Sequence, residues 1–208
     1  MSRPEQLNRY TDLAALLDIL THKRLVLLDP NFWDDKNDVH FMSTYKAKAN
    51  INTLLALCFT SKYETYHHWS VFAQGNSGIC IRFKRDKLIA HLQAVDGVRF
   101  SDVSYKEIRS LTESSFSISD IPFLKRYPYR DEKEFRVIYE SNNNLTVKEV
   151  PFSLDAIDRI VLSPWLPEPL VKTVRSTINS IKDCADLKVY RTTLLSNDVW
   201  RKKVEQLV

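Results

Sequence analysis

The chain has 208 residues, 44% of them hydrophobic and 27% charged, which suits one large α+β or other mixed domain and excludes a disordered or fibrous protein. Its three glycines, Gly75, Gly78 and Gly97, cannot form Gly-x-x-x-x-Gly-Lys or Gly-x-Gly-x-x-Gly, so glycine-loop ATPases, GTPases and ordinary dinucleotide-binding dehydrogenases are excluded. A net charge of +4 permits an anionic partner without requiring one, and no stretch approaches the roughly 20 apolar residues of a membrane span.

Thr11 or Asp12 can cap a first helix, in which Leu13, Leu16, Leu17 and Leu20 form one stripe. The run 24–28 predicts a strand, 29–38 a loop and 39–50 a helix. Leu54–Phe59 predicts a buried strand. A short helix or irregular segment holds 64–69. Gly78–Phe83 predicts a second buried strand, followed by a helix near 85–94 and a strand at 98–105. Pro122 and Pro128 prevent a single long helix over 106–130. In 134–140, Phe135, Val137 and Tyr139 alternate with Glu134, Arg136 and Ile138, as in a strand. Asn142-Asn143-Asn144 reads as a turn that folds 145–150 back as its hairpin partner. A strand follows at 158–162. Pro167 then starts a helix with Leu170, Val171, Val174, Ile178 and Ile181 on one side. A strand at 187–191 and a polar helix at 197–206 complete a helix-strand-helix end over 166–208. The expected fold is a single α+β domain over 1–208, with a central mixed or antiparallel sheet flanked by helices. Strands 54–59, 78–83 and 134–140 share that sheet.

Cys58, Cys80 and Cys184 lack ligand spacing, and the polar start Met-Ser-Arg-Pro-Glu has no apolar signal core. The expectation is a cytoplasmic chain with reduced thiols, no disulfide and no bound metal.

Four polar clusters could carry chemistry. In Asn8-Arg9-Tyr10, Arg9 offers a fork to phosphate or carboxylate, or packs its stem beside Tyr10. In Trp33-Asp34-Asp35-Lys36-Asn37-Asp38, the aspartates cap and turn the chain, orient a substrate, or hold a cation. In Tyr66-His67-His68-Trp69, adjacent helical histidines diverge by about 100°, so they make a poor chelating pair. One of them serves a site, or both are structural. In Tyr129–Arg136, Glu134 and Arg136 share a strand face. They act precisely on a sugar or acceptor, or form an ion-pair face. Lys125-Arg-Tyr-Pro-Tyr-Arg130 interleaves cations and rings, as a nucleic-acid contact or a solvated loop.

The order of these motifs, with Cys-Phe-Thr, His-His-Trp-x-Val-Phe and Gly-x-x-Gly-Ile-Cys-Ile-x-Phe between them, resembles an uncharacterised bacterial group, domain-of-unknown-function family twenty-nine seventy-one, over about residues 8–165. An early arginine beside an aromatic and a late strand glutamate also resemble the ADP-ribosyltransferase arrangement. That second resemblance implies NAD as substrate and transfer of ADP-ribose to a nucleic-acid or protein acceptor, in a defence or toxin setting. It implies Arg9, Tyr10, His68 and Trp69 as NAD-binding residues, with Tyr10 or Trp69 stacking on nicotinamide. It implies Glu134 as the catalytic carboxylate, with Glu132 as its competitor, and Asp35, Asn37, Asp38 and Arg136 as orienting groups. The Ser-Thr-Ser strand motif of one branch is absent. The alternative is a non-catalytic nucleic-acid or partner-binding module.

Overall fold

The structure, a computed structural model, describes residues 5–111 and 116–207. Strand β1 (Gln6–Asp12) runs directly into helix α1 (Leu13–His22), because the Asp12 carboxylate accepts from the Ala15 backbone N–H at 2.8 Å and caps the helix. Leu16, Ile19 and Leu20 turn its apolar stripe inward, and Lys23 ends it in the left-handed region at φ 52°. Next come β2 (Arg24–Leu27), a 3₁₀ turn at Pro30–Phe32, α2 (Lys36–Lys48) and β3 (Thr53–Thr60). Helix α3 (Tyr66–Phe72) leads into β4 (Gly78–Lys84). Only glycine fits at 78, where a Cβ would lie 2.0 Å from the Ala73 carbonyl oxygen.

Helix α4 (Arg85–Gln93) precedes β5 (Val98–Asp102) and β6 (Ser104–Lys106). The expected strand 98–105 thus breaks at Val103, and β6 leaves to pair in parallel with β7 (Leu124–Arg126). The described parts of 106–130 are otherwise short 3₁₀ turns and loop, consistent with its prolines. Then follow β8 (Glu134–Ser141), β9 (Lys148–Pro151), β10 (Ile157–Leu162), α5 (Glu168–Ser180), β11 (Val189–Arg191) and α6 (Asp198–Glu205).

Seven strands form one sheet in the order β11-β10-β4-β1-β3-β8-β5. It is parallel at β10–β11 and antiparallel at its other pairings, so the α+β architecture with a central mixed sheet holds. Strands β3, β4 and β8 share it. The expected hairpin of 145–150 with β8 does not form. Both edges of β8 are taken, by β3 and β5, and β9 pairs instead with β2, placing Val150 opposite Leu25. Strand β1 was not foreseen, and it lies in the middle of the sheet.

One sheet face carries the larger core. There Leu57, Phe59, Ile81, Phe83, Phe135 and Val137 meet α1, α4 and α5. On the other face, Met42 and Tyr45 of α2 cover Leu54, Ala56 and Ile138, while Trp69 of α3 covers Cys80 and Val161. No described helix is long and apolar enough to cross a membrane.

Candidate active site

The sheet is imperfectly zipped at its centre. Strand β1 pairs with β4 from Gln6↔Lys84 to Asp12↔Gly78, but with β3, among the described residues, only at Asn8↔Thr60. Beyond that point the strands part. The Cys58 carbonyl, released from the ladder, accepts from Arg9 Nη1 at 3.1 Å. A cavity of about 500 Å³ opens at this parting, a volume typical of small-molecule sites. Asn8, Arg9 and Tyr10 border it from β1, Cys58, Phe59 and Thr60 from β3, and Glu134 from β8. His68, Val71 and Phe72 of α3, the loop Phe32–Asp35, Asp38 of α2, and Lys125, Tyr129 and Glu132 complete its wall.

Glu134 is 5% exposed and Arg136, two residues along the same strand face, is 0% exposed. Arg136 binds both oxygens of Glu134, with Nε to Oε1 at 2.7 Å and Nη2 to Oε2 at 2.9 Å. It also grips Asp38 through Nη1 to Oδ1 at 2.9 Å and Nη2 to Oδ2 at 2.7 Å. Nη1 donates further to the Pro122 carbonyl at 2.7 Å, and the guanidinium lies 4.8 Å from the Trp33 ring centroid. Such a planar, doubly forked clamp is specific to arginine. Lys125 Nζ adds contacts of 2.6 Å to Glu132, 3.3 Å to Glu134 and 3.5 Å to Asp38.

These neighbours set the charges. Burial alone would raise the Glu134 pKa, but Arg136 and Lys125 outweigh it, and the Cys58 thiol donates to it as well, bringing it down to about 2. Glu134 is therefore a fixed, oriented anion at neutral pH and no proton donor. Burial dominates at Asp38 and Glu132 and raises both, against the pull of Arg136 and Lys125 respectively. Burial also pushes the Cys58 thiol up, so it is no nucleophilic thiolate.

Tyr10 is half-buried, stacks on His68 at 5.4 Å and meets Trp69 edge-on at 5.2 Å. The His68 ring nitrogens face the Thr65 hydroxyl at 2.5 Å and the Glu132 carbonyl at 3.3 Å, and burial lowers its pKa. It is a neutral wall residue with both nitrogens engaged. Trp69, expected as a stacking surface, is 0% exposed and does not border the cavity. Its Nε1 donates to Glu64 at 2.7 Å, because the helical turn that aims His68 toward the cavity aims Trp69 onto Cys80 and Val161 of the sheet. Of the two expected rings, Tyr10 is the one in place.

The aspartate loop divides its work. Asp35 caps α2 by accepting from the Asn37 backbone N–H at 3.0 Å, and Asn37, whose side-chain amide also donates to Asp35 at 3.1 Å, does not border the cavity. Asp38, in the first turn of α2, reaches Arg136. Of the expected orienting groups, Asp35 and Asp38 border the cavity, Arg136 supports it from behind, and Asn37 is outside it. Among the described residues no acidic, histidine or cysteine group forms a metal-binding cluster. The basic–aromatic run is folded on itself: Lys125 faces the carboxylates, and Arg130 lies 4.4 Å from the Tyr127 ring centroid. Lys125 and Asn8 gain weight from the structure. Lys125 reaches Glu132 and Glu134 within its own stretch and Asp38 across the chain, and Asn8 donates to the distant Lys62 carbonyl, so spacing shows only part of their setting.

No family model matches the sequence, and no curated protein does. The resemblance to family twenty-nine seventy-one is therefore not confirmed. Among solved structures, DarT of Thermus sp. 2.9 in complex with NAD+ is similar at 9% identity and a TM-score of 0.47, over 92% of this chain and 96% of that one. The same protein in complex with ADP-ribosylated ssDNA is similar at 10% identity and a TM-score of 0.47, over 92% and 98%. At that identity and score the likeness carries no functional argument.

Proposed function

We propose that this protein is an ADP-ribosyltransferase-like enzyme that cleaves NAD and transfers ADP-ribose to a nucleic-acid or protein acceptor. The observation that supports the reading is convergence: Arg9 and Tyr10 from β1 and Glu134 from β8 border one cavity at the parting of the sheet. Breaking the bond between nicotinamide and ribose leaves the bonding pair on the departing ring and positive charge on the sugar, as in glycoside hydrolysis. Glu134, held as an anion by Arg136 and Lys125, stabilises that charge and accepts from a ribose hydroxyl. Arg9 pairs with the pyrophosphate, and Tyr10 offers its ring face to nicotinamide. The acidic side of the cavity, with Asp34, Asp35 and Glu132, suits the positive pyridinium.

The test is thermal stabilisation by NAD, followed by mass spectrometry for free nicotinamide with water, oligonucleotides and proteins as acceptors. Stabilisation and nicotinamide release, lost in Glu134→Gln, support the enzyme. Nucleic-acid binding with no effect of NAD would replace it with the non-catalytic binding module.

A further inference from the structure

Lys125 enters the proposed chemistry only through Glu134, yet it touches more than that one carboxylate. Its side chain is 10% exposed, and its ammonium sits among three carboxylates from three parts of the chain. Glu132 belongs to its own segment, Glu134 begins β8, and Asp38 lies in α2. The closest contact, 2.6 Å, is to Glu132. The Tyr129 ring centroid lies 5.0 Å from Nζ on the other side. The segment 124–132 brings Lys125, Tyr129 and Glu132 to the cavity, and Lys125 joins that segment to β8 and α2.

We infer that Lys125 is a positioning residue, which fixes Glu132 and segment 124–132 against the cavity and shares its charge so that Glu134 keeps its own. The argument is geometric. At 2.6 Å the Glu132 contact is a full charge-assisted hydrogen bond, whereas Glu134 at 3.3 Å and Asp38 at 3.5 Å receive weaker attraction. Glu132 holds the cation back from Glu134. A neutral Glu132 would release Lys125 toward Glu134 and blunt the anion that faces the sugar. Lys125 in turn opposes the burial that raises the Glu132 carboxyl.

The groups facing this pair come from every packed element: Asp38 from α2, Cys58 from β3, His68 from α3, Tyr105 from β6, and Glu134 and Arg136 from β8. His68 and Tyr105 are neutral near pH 7, and Arg136 is committed to Asp38 and Glu134. Among the described residues Lys125 is thus the cation in ion-pair contact with Glu132. Without it, the buried Glu132 faces two carboxylates and takes up a proton at higher pH.

The inference rests on the NAD-cleaving reading for its kinetic arm only. Lys125→Met and Lys125→Arg are compared with wild type by the pH profile of nicotinamide release, and by carboxyl NMR titration of Glu132 on the full chain. Lys125→Met should move the acid limb and the Glu132 titration upward by about one pH unit or more, the usual effect of losing a close opposite charge. Lys125→Arg keeps the charge and should restore most of the wild-type limb. A purely structural lysine predicts lower melting temperatures in both variants with the acid limb unmoved, and that result overturns the inference. So does a Glu132 titration that stays in place. Should wild type release no nicotinamide, the NAD reading fails, and the NMR titration decides for or against Lys125 on its own.

Discussion

The two faces of β8 use one strand geometry in opposite ways. Phe135 and Val137 enter the core beside Phe59 and Leu57, where stability accrues with each buried carbon. Glu134 and Arg136 alternate with them and enter a closed set of charges with Asp38 and Lys125. On the apolar face a truncation leaves a smaller hole or a larger one. On the charged face a missing partner leaves an ion with no water to answer it, so the contributions cannot be separated. A buried ion set of this kind is a weak source of stability and a strong source of orientation. That is what a cavity-facing carboxylate requires.

The sharpest way to break this contrast is Arg136→Met. It leaves Asp38 and Glu134 buried without their clamp and should cost about 3–5 kcal/mol in urea unfolding. Leu57→Ala, across the sheet, should cost about 2–5 kcal/mol by ordinary cavity formation. Removing the charges together in Asp38→Leu/Glu134→Leu/Arg136→Met should recover much of the loss from Arg136→Met alone. No recovery would show that the two faces obey the same rule.

Glu134→Gln sharpens the contrast in activity. Its amide oxygen still accepts from Arg136, and Asp38 keeps its own two contacts, so the fold should persist at a lowered melting temperature. Nicotinamide release, measured below that temperature, should fall by about 10²–10³, or roughly 3–4 kcal/mol. Glu132→Gln, which leaves the Glu134 clamp in place, should fall less. Equal turnover in Glu134→Gln and wild type removes Glu134 from the chemistry.

Acid separates the carboxylates by sign. The Glu134 pKa falls from an ordinary 4.5 to about 2 on folding, so its stabilisation is complete above 4.5 and is lost as pH falls toward 2. Asp38 and Glu132 are raised, so their protonation during acidification favours the folded state and partly offsets that loss. Melting temperature should therefore decline mainly between pH 4.5 and 2, and less steeply in Glu134→Gln. An identical slope in the variant would contradict the assignment. The smallest effect belongs to Asp12→Ala, which uncaps α1 away from the charged set and should cost about 1 kcal/mol in urea unfolding.

Much of this was readable from the residues. The β8 alternation placed Glu134 and Arg136 on one face, and the leucine stripe with Thr11 or Asp12 as cap gave the start of α1 to within a residue. Strand β1 was hidden because the property that makes it useful spoils its pattern. In Gln-Leu-Asn-Arg-Tyr-Thr-Asp only Leu7 is both apolar and fully buried, since Asn8, Arg9 and Tyr10 line a cavity. The asparagine turn suggested a hairpin because local sequence carries no record of which strand edges are already occupied. His68 and Trp69 were legible as a pair, but which of them faces the cavity depends on the phase of a seven-residue helix.

The single Asn8↔Thr60 contact also bears on how the sheet opens in time. A seven-stranded sheet normally frays from its outer strands, while its middle exchanges amide protons last. Here the weak seam runs through the middle, between β1 and β3, with a side chain, Arg9, substituting for part of the backbone ladder. Deuterium should therefore enter at the Cys58 amide, on the edge of β3 that faces the seam, sooner than at the centres of β4 and β8. Among the described residues one ladder pairing joins the two halves of the sheet at this seam, and a ligand seated across it would slow exchange in the interior rather than at the rim.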